Sequence, residues 1–216
     1  SAVLSLADMT SDQGFELKNL GPTVNWEHEV ANAGDINGDG IDDIILGDHG
    51  SSPDGLDEAG QAYVLFGHTG HFKQAIDLTA LDGADGFRLD GEAAGDLFGS
   101  SVAAAGDVNG DGYDDLVVGA PGSSATGPQY TGESYVVYGH GGGFDATFSM
   151  DQLDGSNGFR MQAVRDLENS GYCVSGAGDF NGDGHDDFLV GAPAATIDGA
   201  KYIGVSYVVF GGDDGF

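Results

Sequence analysis

The chain has 216 residues, 40 of them glycine and five proline, with 36 Asp and Glu against six Lys and Arg and a formal net charge of −30. Its hydrophobic content of 40% is enough to bury a core, and glycine at this density without a Gly-X-Y period excludes collagen and points to turn-rich β structure. So acidic a surface repels nucleic acid and anionic lipid but favours metal cations, and it suits a saline habitat as well as a calcium-rich one.

In chain order, the opening SAVLSLADMT reads as neither a signal peptide nor a membrane span, and the lack of an initiator methionine suits a piece of something longer. The segment 14–18, GFELK, alternates apolar with charged residues, as a half-exposed outer strand does. Residues 30–34 follow an opening valine with Ala, Asn, Ala and Gly, side chains small enough for a strand crowded near a central axis. Residues 43–47 form an apolar run, expected for a strand covered on both faces, and AYVLFG from Ala62 is a third, aromatic and β-branched strand.

These elements then recur. GDINGDGIDDIILG begins at Gly34, GDVNGDGYDDLVVG at Gly106 and GDFNGDGHDDFLVG at Gly178, an offset of 72 residues each time. GFELK, GFRLD and GFRMQ keep that register, as do AYVLFG, SYVVYG and SYVVFG. The units are 1–72, 73–144 and 145–216 of a single domain. Four short strands running from a small-residue inner edge to a half-exposed outer edge predict an all-β propeller of four-stranded antiparallel blades, three per chain. A flat solenoid is the competing architecture.

Between the first and second strands of every unit stands D-x-N-x-D-G-x-x-D. The expected calcium ligands are Asp35, Asn37, Asp39 and Asp43, then Asp107, Asn109, Asp111 and Asp115, then Asp179, Asn181, Asp183 and Asp187. Ca²⁺ takes six to eight oxygens, and the backbone carbonyls of Ile41, Tyr113 and His185 at the seventh position would complete each set. Gly40, Gly112 and Gly184 permit the sharp turn. An EF-hand is excluded because its twelfth position needs glutamate, and Leu46, Val118 and Val190 stand there. Three carboxylates held roughly 5 Å apart repel by about 1–2 kcal/mol per pair, which a bound cation reverses. About three Ca²⁺ per chain are expected. The adjoining Asp42, Asp114 and Asp186 read as solvated or turn-capping residues.

With these loops, strands and period, the chain resembles FG-GAP repeats, the units of the integrin α-subunit propeller and of many bacterial secreted proteins. Phe98-Gly99 with Gly119-Ala120-Pro121 carries both name-giving motifs; the third unit has Ser170-Gly171 with Gly191-Ala192-Pro193, and the first Trp26-Glu27 with Gly47-Asp48-His49. The resemblance implies that each outer strand comes from the start of the following unit. It also implies that the calcium loops stabilise the face opposite the ligand-binding one. Ligand recognition then falls to residues 48–60, 120–132 and 192–204 with 19–26, 91–98 and 163–170, whose variability fits either functional loops or drift.

The expected function is a calcium-stabilised, non-catalytic binding or adhesion module, secreted or on the cell surface, with a protein or glycan ligand. A propeller domain of a secreted hydrolase and a glycan-binding lectin are the alternatives, the latter pointed to by Tyr130 and Tyr202. No Ser-His-Asp set or paired acid and base stands out; the single Cys173 cannot form an internal disulfide, and the six histidines lack metal spacing. Tyr63, Tyr135 and Tyr207, one per unit, read as core, and Arg88 and Arg160 as an exposed charge ladder. Either a head-to-tail homodimer completing a six-bladed ring or further blades of a longer chain would supply the missing blades. Nucleic acid and membrane insertion are not expected.

Overall fold

A computed structural model describes residues 6, 9–18, 28–123, 130–163, 168–197 and 200–213. Its fourteen strands are β1 (Glu16–Lys18), β2 (Glu29–Gly34), β3 (Asp43–Asp48), β4 (Gln61–Leu65), β5 (Ala75–Asp77), β6 (Gly86–Asp90), β7 (Ser101–Gly106), β8 (Asp115–Ala120), β9 (Glu133–Val137), β10 (Thr147–Ser149), β11 (Gly158–Gln162), β12 (Cys173–Gly178), β13 (Asp187–Ala192) and β14 (Val205–Val209). The chain is all-β, of the propeller type.

The strands form three consecutive sheets, in the orders β2-β3-β4-β6-β10, β7-β8-β9-β11 and β12-β13-β14, and a separate pair β1-β5. The fourth strand of each larger sheet does come from the following unit: β6 pairs antiparallel with β4, and β11 with β9. Among the described residues the sheets are not uniform: the first has five strands, the second the expected four antiparallel ones and the third three. The fifth strand, β10, pairs parallel with β6 and comes from the unit beyond. It was not foreseen because three residues, TFS, carry too little pattern to read as a strand. It also buries the edge expected to be half-exposed, so that β6 is largely buried while β11 keeps exposed positions.

Inner strand β7 lies against both β2 and β12. The second strands β3 and β8 are covered on both faces, as their apolar runs predicted, whereas β13 leaves Leu189 exposed. Leu116 and Val118 of β8 join the core between the first two sheets with Ile45, Val64, Phe87 and Phe98. Val117, pointing the other way, joins Val136, Phe159, Val174 and Phe188 in the core between the second and third. The period of two thus makes one strand serve two cores.

The name-giving glycines work across the sheet boundary. A Cβ on Gly47 would strike the Gly99 carbonyl, and one on Gly119 the Gly171 carbonyl, so neighbouring backbones approach closer than any side chain allows. Tyr63 and Tyr135 are core, as expected, but Tyr207 on β14 is 38% exposed. Trp26-Glu27 lies outside the described residues.

Candidate metal loops and the opposite face

Each Asp-rich loop leaves its sheet where a first strand ends and returns where the second begins. In the first loop the Asp39 N–H donates to Asp35 Oδ1 (2.9 Å) and Asn37 Oδ1 (2.9 Å), Gly40 N–H to Asp35 Oδ2 (2.8 Å), and Ile41 N–H to Asp39 Oδ1 (2.9 Å). The second loop repeats this with Asp107, Asn109 and Asp111, and the third with Asp179, Asn181 and Asp183. These bonds fold the chain so that the first, third and fifth side chains share one small loop.

The ninth residue stands apart. Asp43, Asp115 and Asp187 are fully buried at the loop base. Asp43 Oδ2 accepts from Ile36 N–H (3.2 Å) and Oδ1 from Gly67 N–H (2.8 Å), joining the loop to the end of the third strand. Asp115 does the same with Val108 and Gly139, and Asp187 with Phe180 and Gly211. Burial first, and then the charges of Asp39 and Asp35, push the Asp43 carboxyl up to about 6. Asp115 is pushed to about 7 by burial, with Asp111 and Asp107 adding to it.

Among the described residues no three His, Cys, Asp or Glu are drawn together as a closed metal shell, because the loop oxygens are turned onto loop N–H groups. The donors nevertheless fit a hard cation. They are all oxygen, one carboxylate is buried at the base, and no lysine or arginine pairs with them among the described residues.

Asp114 and Asp186, expected to be solvated or turn-capping, each cap a loop N–H, but of the preceding unit and not of their own. Asp114 Oδ2 accepts from the Asp35 N–H (2.8 Å) and Asp186 Oδ2 from the Asp107 N–H (3.0 Å), each reaching the first residue of the preceding unit's loop. A Cβ on Gly34 or Gly106 would collide with these aspartates, and the seventh-position Tyr113 and His185 rings fill the space beside Gly38 and Gly110. The first and second loops are therefore each braced by the next. Asp114→Ala is expected to cost about 1–2 kcal/mol by stranding the Asp35 N–H, read as a lower denaturant midpoint at unchanged slope.

At the other end of the strands, the 2-to-3 and 4-to-1 connections meet. Residues 19–26, 124–129, 164–167 and 198–199 of these connections lie outside the described residues. Glu58, Tyr130 and Tyr202, each 72 apart, all take left-handed backbone, as do Leu97 and Asn169. Leu97 N–H donates to the Glu58 carbonyl (3.1 Å) and Asn169 N–H to that of Tyr130 (3.2 Å), so this backbone stitches units together while the Tyr130 and Tyr202 rings stay exposed.

An acidic group that sequence reading missed also lies at this end. Buried Glu133 accepts from Ser123 Oγ (2.7 Å) and Tyr135 Oη (2.8 Å), and the Arg160 guanidinium, bonded to Glu92 at 3.0 Å, stands 4.0 Å from it. In the first sheet Arg88 grips Asp90 with two bonds of 2.7 and 2.8 Å. Arg88 is half-buried and Arg160 exposed, as a ladder would have it, but each is tied to an acid of the same end, Arg88 to Asp90 and Arg160 to Glu92. A local signal was available only for Arg88, two residues from Asp90; Arg160 has no acid within five residues in sequence.

Asp96 is buried beside this group, and its carboxyl is pushed from 3.8 to about 6, chiefly by burial and further by Glu133 and Glu92. A carboxyl whose folded pKa lies above its unfolded value costs stability as pH rises through that window. Asp96→Asn, which keeps an acceptor for the Ala93 N–H, is expected to raise the melting temperature at pH 7 relative to wild type and to change it little at pH 4. Paired melts at the two pH values check this.

With the loops and sheet offsets established, comparison with known proteins is direct. The FG-GAP repeat model matches residues 29–65, 98–137 and 174–209, one match on the inner strands of each sheet. The chain belongs to the FG-GAP repeat family. It is 32% identical over 165 residues to integrin alpha pat-2 of Caenorhabditis elegans, covering 73% of this chain and 12% of that protein. Integrin alpha-2 of Mus musculus is 31% identical over 164 residues, covering 76% of this chain and 12% of that protein. Phosphatidylinositol-glycan-specific phospholipase D of Bos taurus is 38% identical over 109 residues, covering 50% and 13%. The chain spans little more than a tenth of the length of these relatives. Among the described residues no helix is long and apolar enough to cross a membrane.

Proposed function

We propose that this chain is a three-bladed FG-GAP propeller segment of the adhesion type, each blade stiffened by one Ca²⁺, working outside the cell without catalysis. The observation that carries this reading is the thrice-repeated all-oxygen loop with a buried carboxylate at its base. Asp35, Asn37, Asp39, Asp43 and the Ile41 carbonyl would hold the first ion, with their equivalents holding the other two. The bound cation supplies positive charge to clustered carboxylates. Asp43, Asp115 and Asp187 hold each loop to the turn after the third strand, so order in the loop is passed to the sheet.

Ligand binding is assigned to the opposite end, where Tyr130 and Tyr202 expose their rings and the connections differ between units. Its similarity to integrin α subunits supports a protein or glycan partner there. Calorimetric titration of Ca²⁺ into chelator-treated protein is expected to show about three sites per chain, and Asp111→Ala to remove one. Mg²⁺ competes weakly, because it demands a smaller octahedral shell and sheds water reluctantly. No heat of binding in the wild type overturns the reading.

The match to phospholipase D favours a second reading, an accessory propeller of a secreted hydrolase. Both readings place no turnover in these 216 residues. Hydrolysis of an ester or glycoside by this chain, abolished by a point mutation outside the Asp-rich loops, would overturn both.

A further inference from the structure

Asp114 stands between two expected ligands of the second loop, the Tyr113 carbonyl and the Asp115 carboxylate, yet it serves the first loop. Its Oδ2 accepts the Asp35 N–H at 2.8 Å, and its own N–H returns a longer bond to the Asp35 carbonyl at 3.4 Å. Its two neighbours reach the same loop. The Tyr113 ring fills the space that a Cβ on Gly38 would need. Asp115 Oδ1 holds the Gly139 N–H at 2.9 Å, and the adjoining His140 N–H donates to the Ile36 carbonyl at 2.9 Å. Three consecutive residues of the second loop thus bear on the first, second and fourth residues of the first loop, directly or through the Gly139–His140 turn.

The next boundary repeats each contact at the same offset. Asp186 Oδ2 accepts the Asp107 N–H at 3.0 Å, and the Asp186 N–H donates to the Asp107 carbonyl at 3.1 Å. His185 fills the space beside Gly110, and the Gly212 N–H donates to the Val108 carbonyl at 2.9 Å.

Asp35 and Asp107 are the first expected ligands of their loops. Their carboxylates face inward, Asp35 onto the Asp39 and Gly40 N–H groups and Asp107 onto those of Asp111 and Gly112. Their backbones are held by the following loop. Ordering residues 113–115 therefore removes backbone freedom from Asp35 too, freedom that the first loop would otherwise lose when it closes on a cation.

We propose that Asp114 and Asp186 are positioning residues that couple neighbouring calcium loops, so that filling one loop raises the affinity of the loop before it and, by linkage, the reverse. The inference rests on the calcium reading above. Neither aspartate is itself among the expected ligands; each acts through the backbone of a ligand residue. Through-space charge acts in the opposite sense, because a filled loop attracts a second cation less than an empty one does. Salt at about 0.15 M screens that effect beyond about 8 Å, so the sign of the coupling separates the two causes.

The Gly40, Gly112 and Gly184 N–H groups each donate to the first aspartate of their own loop, at 2.8, 2.9 and 3.0 Å, so their amide resonances report the three loops separately. The test is stepwise addition of Ca²⁺ to the chelator-treated, isotope-labelled 216-residue chain at about 0.15 M salt. Asp111→Ala, which disables the second loop, is expected to weaken the first by about fivefold or more, the lower end of coupling between sites. Asp39→Ala is expected to weaken the second loop by the same factor, an equality that linkage requires and a folding defect does not. Asp114→Ala is expected to lower the first loop's affinity and to leave it indifferent to Asp111→Ala. Asp114→Asn, which keeps the acceptor oxygen, is expected to restore both. Asp186→Ala and Asp186→Asn repeat the test between the second and third loops. Loops that fill independently, or with negative coupling, overturn the proposal while leaving calcium binding intact. Equal weakening of all three loops by Asp114→Ala also overturns it, since that is a general loss of structure. If none of the three amides moves, the calcium reading falls and the coupling falls with it.

Discussion

Chelating calcium is expected to lower the midpoint of thermal unfolding by about 15 °C or more. A ligand that binds only the folded state stabilises it by about 2.7 kcal/mol per site when present at a hundred times its Kd. For a chain of this size each kcal/mol moves the midpoint by about 2–4 °C. Three loops acting together are therefore expected to have a large effect, and the buried ninth-position carboxylates offer it a route to the sheets. Asp43, Asp115 and Asp187 each hold both the loop start and the turn after the third strand. Without a cation, like charges crowd the same loop. Asp111→Ala is expected to reproduce about a third of the loss, and differential scanning calorimetry in calcium and in chelator measures both. An unchanged melt in chelator would show that the loops do not hold the fold.

Phe98→Ala is expected to destabilise by about 3–5 kcal/mol, the usual range for emptying a buried aromatic site, which is a fall of about 10 °C. Phe98 is fully buried and meets the Tyr135 ring edge-on at 5.4 Å and 72°. Its N–H donates to the Ala59 carbonyl (3.0 Å) of the preceding unit, so it belongs to the boundary between the first two sheets. The site has little freedom to collapse, because Gly60 and Gly91 pack their backbones against it where even a Cβ would clash. Chemical denaturation reads the cost. If the unfolding transition splits in two, the sheets have been uncoupled; a cost below about 1 kcal/mol would mean that Phe98 is not a keystone of that boundary.

Most of the strand order was readable because it repeats. The small-residue first strands and the apolar second strands follow from patterns present three times, while the donation of the fourth strand to the preceding sheet was implied by the family resemblance and is seen at β6 and β11. The Asp-rich loops were readable as oxygen donors at fixed spacing, and their hydrogen bonds are local, joining residues two to five apart. The short strand β10 was not readable, nor was the pair Arg160–Glu92, whose members stand 68 residues apart in sequence and meet only through the sheets.

The amino-acid sequence by itself thus determined the all-β class, the three units, and where oxygen donors gather, since each depends on spacing within a few residues and is reinforced by repetition. Only the tertiary structure decided how the units join. Asp114 reaches the Asp35 N–H across 79 residues, and Gly47 and Gly119 are required because the next unit's backbone passes against them. Such contacts leave no periodic signal, because they depend on the twist and offset of whole sheets and not on the order of neighbouring side chains. The same cause separates Tyr207 from Tyr63 and Tyr135: identical in sequence context, it is exposed because no outer strand of its own chain lies beside it among the described residues.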